Sequence, residues 1–539
     1  MRNIAVADCE TDPFRAGRIP KPFLWGYFDG ERYRQFEDTR KFALFLKKQG
    51  VICYAHNGGK FDWHFLLEYL NPYDEVMLIN GRIARCWIGN AECRDSYNIL
   101  PVPLAAYKKD VIDYRLMEKS ERKKSANWEK ICAYLKNDCL YLHELVSRFI
   151  AEYGLQITLA SAGMAQWKKI SGLKAPQTDR EYYKRYSPFY YGGRVECFQS
   201  GIIEKPFSVF DINSAYPYAM MNEHPYSDEV VKVRGYVKDA DFLNVECVSR
   251  GAFPFRGLGE PGEAAGLRFP NDDVRRVYSV TGWEFDTAMD TCTIDKVRVI
   301  ESFRYMDRVS FSPYVKHFYE MRLKAIQKGN DAESLFAKLL MNSLYGKFAS
   351  NPDNYRQYYI VPMDVVAGLD AHGWMFEGEF GPWGLASAEL EAEAQRYYNV
   401  ATSASITGFV RAMLWRAIAG SKGILYCDTD SVAVEIPGKE IKLGSALGEW
   451  KHEGEFDKAG IAGKKLYIFR GVEKKGKRVF KFASKGARLT KAQLWKVASG
   501  KPVDFVSQVP TFSIRKSPEF VNREIKFTAR KEIKCLRMT

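Results

Sequence analysis

Apolar residues along the chain follow two rhythms in turn. "NIAVADCET" (residues 3–11) is a short, nearly continuous apolar run and predicts a buried strand. "TRKFALFLKKQG" (39–50) repeats its apolar positions at helical spacing and predicts an amphipathic helix stopped at Gly50. "GVICYAHN" (50–57) predicts a second strand, "FDWHFLLEYL" (61–70) a second helix, and "WEKICAYLKNDCLYLHELVSRFIAEYG" (128–154) a long closing helix. This βαβα opening predicts an α/β domain over residues 1–160. A second, larger unit begins near "YYGGRV" (190–195), and no repeat or low-complexity tract interrupts either.

Composition sharpens that picture. A chain of 539 residues with 46% hydrophobic content can build several cores, so two or more domains are expected. A net charge of +14 favours a polyanionic partner such as nucleic acid, although a merely solubilising basic surface gives the same number. Eleven cysteines are scattered with no Cys-x-x-Cys pair, which points away from a zinc site and from a disulfide framework. The start, "MRNIAVADCETD", reaches acidic residues too soon for a secretory signal, and no apolar stretch has membrane-spanning length. The expected location is the cytoplasm, that of a bacterial host if the chain is viral.

The first domain carries acids with a shared explanation. Asp8 and Glu10 stand at i and i+2 on the first strand and project from one face. Asp62 follows the second strand, and Asp138 lies on the closing helix, with Tyr134 one turn earlier on the same face and able to orient a water. Taken singly, each is an ordinary surface charge. Converging from strands and helices, four carboxylates repel unless divalent cations neutralise them, and paired metals suit phosphodiester hydrolysis.

"DCE", "HNGGKFD" and "YLKND" resemble the three motifs of the proofreading 3′–5′ exonuclease attached to family B DNA polymerases. The resemblance implies an RNase H-like domain in which Asp8, Glu10, Asp62 and Asp138 bind the metals and Tyr134 orients the water. It implies that Asn57 and Phe61 hold the unpaired 3′ end, and that Ser96 and Tyr97 in "RDSYNIL" make a further single-strand contact. A lysine before "VIDY" matches one that assists this chemistry; Lys109 fits, with neighbouring Lys108 leaving the register open.

In the second unit "VFDINSAYP" places Asp211 at a strand end, and "YCDTDS" predicts a hairpin carrying Asp428 and Asp430 opposite it. On an extended strand both acids would share a face while Thr429 points away. Nucleotidyl transfer needs such acids, since two divalent ions hold the triphosphate and activate the primer hydroxyl. Between them "SLFAKLLMNSLYGKFAS" predicts a helix with Lys338, Asn342 and Tyr345 in one stripe at i, i+4 and i+7. "DINSAYP", "KLLMNSLYG" and "YCDTDS" match the palm and fingers motifs of family B polymerases. The resemblance implies a right-hand palm, fingers and thumb architecture, α/β and α+β in class. In it Asp211 and Asp430 are the principal metal ligands, Asp428 supports them, and Tyr216 is the steric gate against a ribose 2′-hydroxyl. Lys338 and Arg322 would hold the triphosphate of the dNTP, with Lys324 and Lys328 as weaker candidates, and Asn342 and Tyr345 would line the nucleotide pocket. Lys465 and Tyr467 in "KKLY" would steady the primer end. Tyr190, Gly192 and Gly193 match the Tyr-x-Gly-Gly linker, whose glycines let backbone approach template phosphates.

Spacing narrows the resemblance. "DCE" begins at residue 8, whereas cellular family B enzymes carry a further domain before it, and the intervals from Asp211 to Lys338 and from Lys338 to Asp428 exceed what a compact palm needs. Both intervals look like the insertions of protein-primed bacteriophage polymerases, and "TDPF", "RIPKPF", "AHNGGKFD" and "AGKKLY" look closest to tectivirus-type enzymes. The implied organisation is an exonuclease over 1–160, linker and first palm segment over 161–221, a first terminal-protein-region insertion with palm over 222–310, fingers over 311–350, a second insertion over 351–398, palm over 399–474 and thumb over 475–539. The implied activity is proofreading DNA synthesis with Mg²⁺, or Mn²⁺ in its place, primed by a hydroxyl on a terminal protein and displacing the non-template strand. The partners would be template, primer, dNTPs and terminal protein, with the enzyme a monomer or paired with that protein. A polymerase using nucleic-acid primers or none would show the same motifs. An idle DNA-binding scaffold would not need the acids. "RGAFPFRGLGEPGEAAGLRFPNDD" (250–273) reads as Gly- and Pro-rich surface loops, and "GEFGPWGLASAELEAEAQRYYN" (378–399) is acidic for a segment that would contact DNA.

Overall fold

The computed structural model describes residues 2–257, 266–391, 394–473 and 478–527. The centre of the Gly- and Pro-rich stretch, residues 258–265, lies outside the described residues, as do 392–393 in the acidic stretch.

Strand Ile4–Thr11 lies inside a seven-stranded sheet ordered Tyr33–Phe36, Pro22–Phe28, Ile4–Thr11, Ile52–Ala55, Ala91–Asp95, Arg82–Ile88, Met77–Ile79. The Ile4–Thr11, Ile52–Ala55 and Ala91–Asp95 strands pair in parallel, and the outer strands antiparallel. Alternate residues serve opposite cores. Val6 joins the core under the helix Ser125–Tyr153, whereas Ala5, Ala7 and Cys9 join the core under the helix Thr39–Leu46. Asp8 and Glu10 share the parity of Val6, so they face the long helix that carries Asp138.

Two expected elements differ. The helix expected to run to Gly50 ends at Leu46 with Lys47 as cap, because the Lys47 carbonyl is taken by the Asn90 amide at 2.9 Å and Gly89 packs on Lys47. The segment Asp62–Tyr69 is a 3-10 helix, in which buried Trp63 and Leu66 stand one three-residue turn apart. Its start is tethered by Trp63 Nε1 donating to the Arg94 carbonyl at 3.3 Å.

The second unit is built on an eight-stranded sheet ordered Phe480–Ser484, Leu466–Gly471, Trp450–Gly463, Phe207–Ile212, Ser431–Ile436, Lys422–Thr429, Arg194–Cys197, with Gly201–Ile203 also pairing Trp450–Gly463. Strand Phe480–Ser484 therefore belongs to this sheet. The apolar helix Val400–Gly420 is buried along almost its whole length between this sheet and the helix Gly282–Asp290. Arg411 on it is fully buried and bidentate to Glu284, with Nε to Oε1 at 2.7 Å and Nη2 to Oε2 at 3.2 Å, and its Nη1 donates to the Tyr191 carbonyl at 2.5 Å and the Gly192 carbonyl at 3.1 Å. Arg411→Met leaves Glu284 buried and unpaired, so a loss of about 3–5 kcal/mol is expected, read from the urea unfolding midpoint.

Two further sheets occupy the long intervals. Val230–Arg234, Ile294–Tyr305, Phe242–Arg250 and Asn271–Thr281 form one antiparallel sheet, and Arg356–Pro362, Trp383–Glu389 and Met375–Phe380 the other. The second docks on the N-terminal domain: the Tyr73 and Val76 amides donate to Ile360 and Tyr358 carbonyls at 2.6 and 2.8 Å, and Ile360 and Leu385 join the core of Leu70 and Val76. The hairpin Thr511–Ser513/Lys516–Glu519 closes onto both. Phe512 packs edge-on against Phe61 and Phe65, and Arg515 donates to Glu377 Oε2 and the Tyr358 hydroxyl at 2.9 Å each. The acid of this clasp, Glu377, immediately precedes the acidic stretch 378–399. Among the described residues no helix is long and apolar enough to cross a membrane.

Candidate active sites

The first site gathers the four acids of the N-terminal domain. Asp62 opens the 3-10 helix, and its Oδ1 accepts from the Cys9 amide at 3.2 Å, which ties that turn to the strand carrying Asp8 and Glu10. Asp138 enters from the long helix; its Oδ1 is buried with no hydrogen-bond partner, and its Oδ2 lies 3.5 Å from Lys109 Nζ. Lys109 also lies 5.5 Å from the Tyr134 ring, whereas Lys108 sits 4.3 Å over Tyr141, so Lys109 is the lysine that faces the acids. The Tyr134 hydroxyl lies 3.4 Å from that of Tyr114.

These carboxylates resist ionising together. Burial, with Asp62, Asp138 and Glu10 beside it, holds Asp8 well above the usual carboxylate range. Burial and Asp138 push Glu10 up to about 8, and burial pushes Asp62 up to about 7. Burial also raises Asp138 against the pull of Lys109. Removing charge from water without a partner costs free energy, and a single lysine does not offset four acids. An all-oxygen donor set with an orphaned buried carboxylate oxygen fits hard divalent ions such as Mg²⁺. Among the described residues the acids are not drawn into a ready-made coordination cage. The fit therefore rests on donor type and uncompensated charge.

The residues expected to hold an unpaired end gather around Arg82 and Phe61. Asn57 adopts a left-handed conformation (φ 65°) and its Oδ1 accepts from Arg82 at 2.7 Å. Phe61 is held edge-on by Phe14, Phe65 and Phe512. Tyr97 is half-buried under the Arg82 guanidinium. Ser96, expected as a single-strand contact, has no exposed surface; its hydroxyl lies 3.0 Å from His56 Nδ1 and donates to the Ala55 carbonyl at 3.3 Å.

The second site forms where the hairpin Lys422–Thr429/Ser431–Ile436 meets strand Phe207–Ile212. Asp211 pairs with Ser431, and Asp428 also lies opposite Ser431 across the turn. Asp430 is not on a strand. Thr429 turns left-handed (φ 63°), the Asp430 amide donates to the Asp428 carbonyl at 2.7 Å, and this tight turn, not strand alternation, puts both acids beside Asp211. Thr429 does not simply point away: its hydroxyl donates to Asp428 Oδ1 at 3.1 Å. Burial, then Asp211 and Asp428, push Asp430 up to about 7. Burial and Glu453 raise Asp211. Lys465, in a left-handed turn between two strands, donates from Nζ to Asp428 Oδ1 at 2.7 Å, and Tyr467 packs against Tyr426 at 4.7 Å.

Tyr216 and Tyr345 stack face to face beside these acids, 4.6 Å apart and 4° from parallel. Their stack joins the helix Ala215–Met220 to the short helix Tyr345–Phe348. The predicted stripe is broken there, because the helix Asp331–Ser343 ends before Tyr345. Lys338 and Asn342 are exposed on that helix, with Asn342 Nδ2 donating to the Lys338 carbonyl at 2.8 Å. Arg322 is half-buried on the neighbouring helix Ser312–Gln327, its Nε buried without a hydrogen-bond partner, while Lys324 and Lys328 are exposed. None of these fingers cations touches the acids. A Cβ at Gly193 would meet Thr429 Cγ2 at 2.7 Å and the Tyr216 hydroxyl at 3.0 Å, so this glycine is required by the hairpin and Tyr216, whereas Gly192 faces open space and Tyr190 is half-buried next to it.

Residues 102–373 match the family described as DNA polymerase type B, organellar and viral. The DNA-directed DNA polymerase of Enterobacteria phage PRD1 is 36% identical over 565 residues, covering 97% of this chain and 98% of that protein. The chain is a type B DNA polymerase. It falls in the protein-primed phage group read from its motif spacing: the DNA polymerase of Bacillus phage phi29 is 25% identical over 83% of each chain. The structure of Phi29 DNA polymerase complexed with primer-template DNA and incoming nucleotide superposes with a TM-score of 0.73 at 20% identity, covering 98% of this chain and all of that one. The fold is that of the phi29 enzyme, as the expected exonuclease, palm, fingers and thumb require, and polymerases of this family use divalent metal ions.

The polymerase also holds site residues that the sequence hides. Glu453, the residue that burdens Asp211, sits in a bulge where His452 and Gly454 face the consecutive Phe210 and Val209. Strand alternation gives no sign of such an insertion. Lys481 pairs with Glu453 from the edge strand Phe480–Ser484. Arg82, one arginine after an Asn-Gly turn, carries no motif at all.

Proposed function

We propose that this polymerase carries two separate two-metal sites, one for synthesis and one for 3′–5′ proofreading, and begins replication from a hydroxyl on a terminal protein with displacement of the non-template strand. The observation that carries the synthetic site is the convergence of Asp211, Asp428 and Asp430, with Lys465 bonded to Asp428. Asp211, Asp430 and Asp428 would hold two Mg²⁺ there, and Asp8, Glu10, Asp62 and Asp138 two more in the nuclease site. When bound, such ions lower the pKa of the attacking oxygen and stabilise the leaving one. The chain's own groups do the rest. Lys465 holds the Asp428 carboxylate through its hydrogen bond and stands beside the primer end with Tyr467. Tyr216, stacked on Tyr345, is the gate against a 2′-hydroxyl, Arg322 and Lys338 meet the triphosphate from the fingers, and Asn342 and Tyr345 line the nucleotide pocket. In the nuclease groove Asn57, Phe61 and Tyr97 seat an unpaired end, Tyr134 orients the attacking water, and Lys109 offsets part of the acid charge. Tyr190, Gly192 and Gly193 carry the template past the hairpin.

The domain limits follow the same reading: exonuclease 1–160, linker and first palm segment 161–221, first insertion with palm 222–310, fingers 311–350, second insertion 351–398, palm 399–474 and thumb 475–539. DNA, dNTPs and a terminal protein are the proposed partners. Protein priming is tested by supplying labelled dATP and Mg²⁺ on an unprimed linear template, with and without the protein encoded beside this polymerase. Label that becomes covalently attached to that protein is expected. Extension of oligonucleotide primers alone would overturn protein priming while leaving the synthetic site in place.

A further inference from the structure

Arg82 stands at the centre of the single-strand groove and belongs to none of the motifs. Its side chain is 16% exposed and donates from Nη1 to Asp95 Oδ2 at 2.6 Å and to Asn57 Oδ1 at 2.7 Å. Its guanidinium carbon lies 4.5 Å from the centre of the Tyr97 ring. Asp95 in turn has no exposed side-chain surface, and its other oxygen accepts from the Tyr97 amide at 2.9 Å. The site is tightly built: a Cβ on Gly59 would collide with the Ile83 carbonyl, Arg82 Cγ and Asp95 Oδ2, so a glycine is needed two residues after Asn57 for the turn to close over this arginine.

Chemistry fixes the consequences. An arginine has only donors, so the oxygen of the Asn57 amide must face it, and the amide's own NH₂ is left to point elsewhere. A guanidinium over one face of Tyr97 holds the ring plane and leaves the opposite face for a base. We propose that Arg82 is the positioning residue of the proofreading groove, setting the Asn57 amide as a hydrogen-bond donor and Tyr97 as a stacking platform for the 3′-terminal nucleotides. A donor meets the carbonyl oxygens and ring nitrogens that every base offers, and a stacking face is tolerant of sequence, so the groove so arranged accepts any unpaired end. The inference rests on the exonuclease reading of the acid cluster.

The test is steady-state degradation of a 5′-labelled single-stranded oligonucleotide with Mg²⁺ by the full-length wild type, R82K, R82M, N57A and R82M/N57A. R82M is expected to raise KM by about tenfold or more, the scale of a lost charged hydrogen bond, with a smaller fall in kcat. R82K keeps the charge opposite Asp95, guards against failure to fold, and is expected to fall between wild type and R82M because one ammonium cannot hold the amide and cover the ring together. R82M is expected to add little in the N57A background. An unchanged KM in R82M and R82K, or fully additive effects of R82M and N57A, would overturn the inference. Absence of degradation by the wild type would instead overturn the exonuclease reading itself.

Discussion

Asp428→Asn with Asp430→Asn is expected to reduce nucleotide incorporation on a primed template by about a thousandfold or more, while degradation of a single-stranded 3′ end continues. Asn preserves the volume of each side chain but removes the negative charge that the site exists to concentrate. The geometry says why the loss should be large and local. Asp430 is already pushed up to about 7 by burial and its two neighbouring acids, so neutralising it relieves repulsion, and the fold is not expected to suffer. Lys465 loses its anionic partner at the same stroke. Primer extension and single-strand degradation measured on one preparation separate the outcomes. Incorporation that survived would place the synthetic acids elsewhere.

Asp8→Ala with Glu10→Ala is expected to do the converse, lowering degradation of a single-stranded end by about a thousandfold or more with primer extension retained. Both acids lie on the strand face turned to Asp138, and removing them takes away half of the carboxylates available to a divalent ion. Lys109 remains beside Asp138, so the remaining pair is better compensated than before. Tyr134 and the Asn57 groove stay in place but have no activated water to direct. Persistent degradation of the labelled end would show that another group of residues carries the hydrolysis.

Much of this was legible in the sequence for a definite reason. Acids at fixed spacing beside apolar strands have few structural uses, and the parity of Asp8 and Glu10 with Val6 follows from strand geometry alone. That Asp211, Asp428 and Asp430 come together was legible, but strand alternation is not what brings Asp428 and Asp430 there. A left-handed Thr429 joins them through a turn, and a turn residue with positive φ is invisible when it is threonine rather than glycine. Helix limits failed where tertiary contacts intervene, as at Lys47, whose carbonyl serves Asn90. The 3-10 geometry of Asp62–Tyr69 and the bulge at Glu453 likewise depend on partners far along the chain. The surroundings of Ser96 were not legible either: its hydroxyl lies inside the protein between His56 and the Ala55 carbonyl. Arg82 is a residue without any motif that the fold places between two groove residues.

The most direct test of two separate sites in one chain is idle turnover. The full-length enzyme is held with Mg²⁺ and a single labelled dNTP at a blunt primer terminus that can only be trimmed and refilled, and free dNMP is measured over time. Steady release of labelled dNMP is predicted for the wild type; D428N/D430N trims the terminus but cannot refill it and D8A/E10A cannot trim it, so neither alone frees label, and labelled dNMP returns when the two variants are mixed. Release of dNMP by D8A/E10A alone, or no release by a wild type that extends primers, would contradict the account.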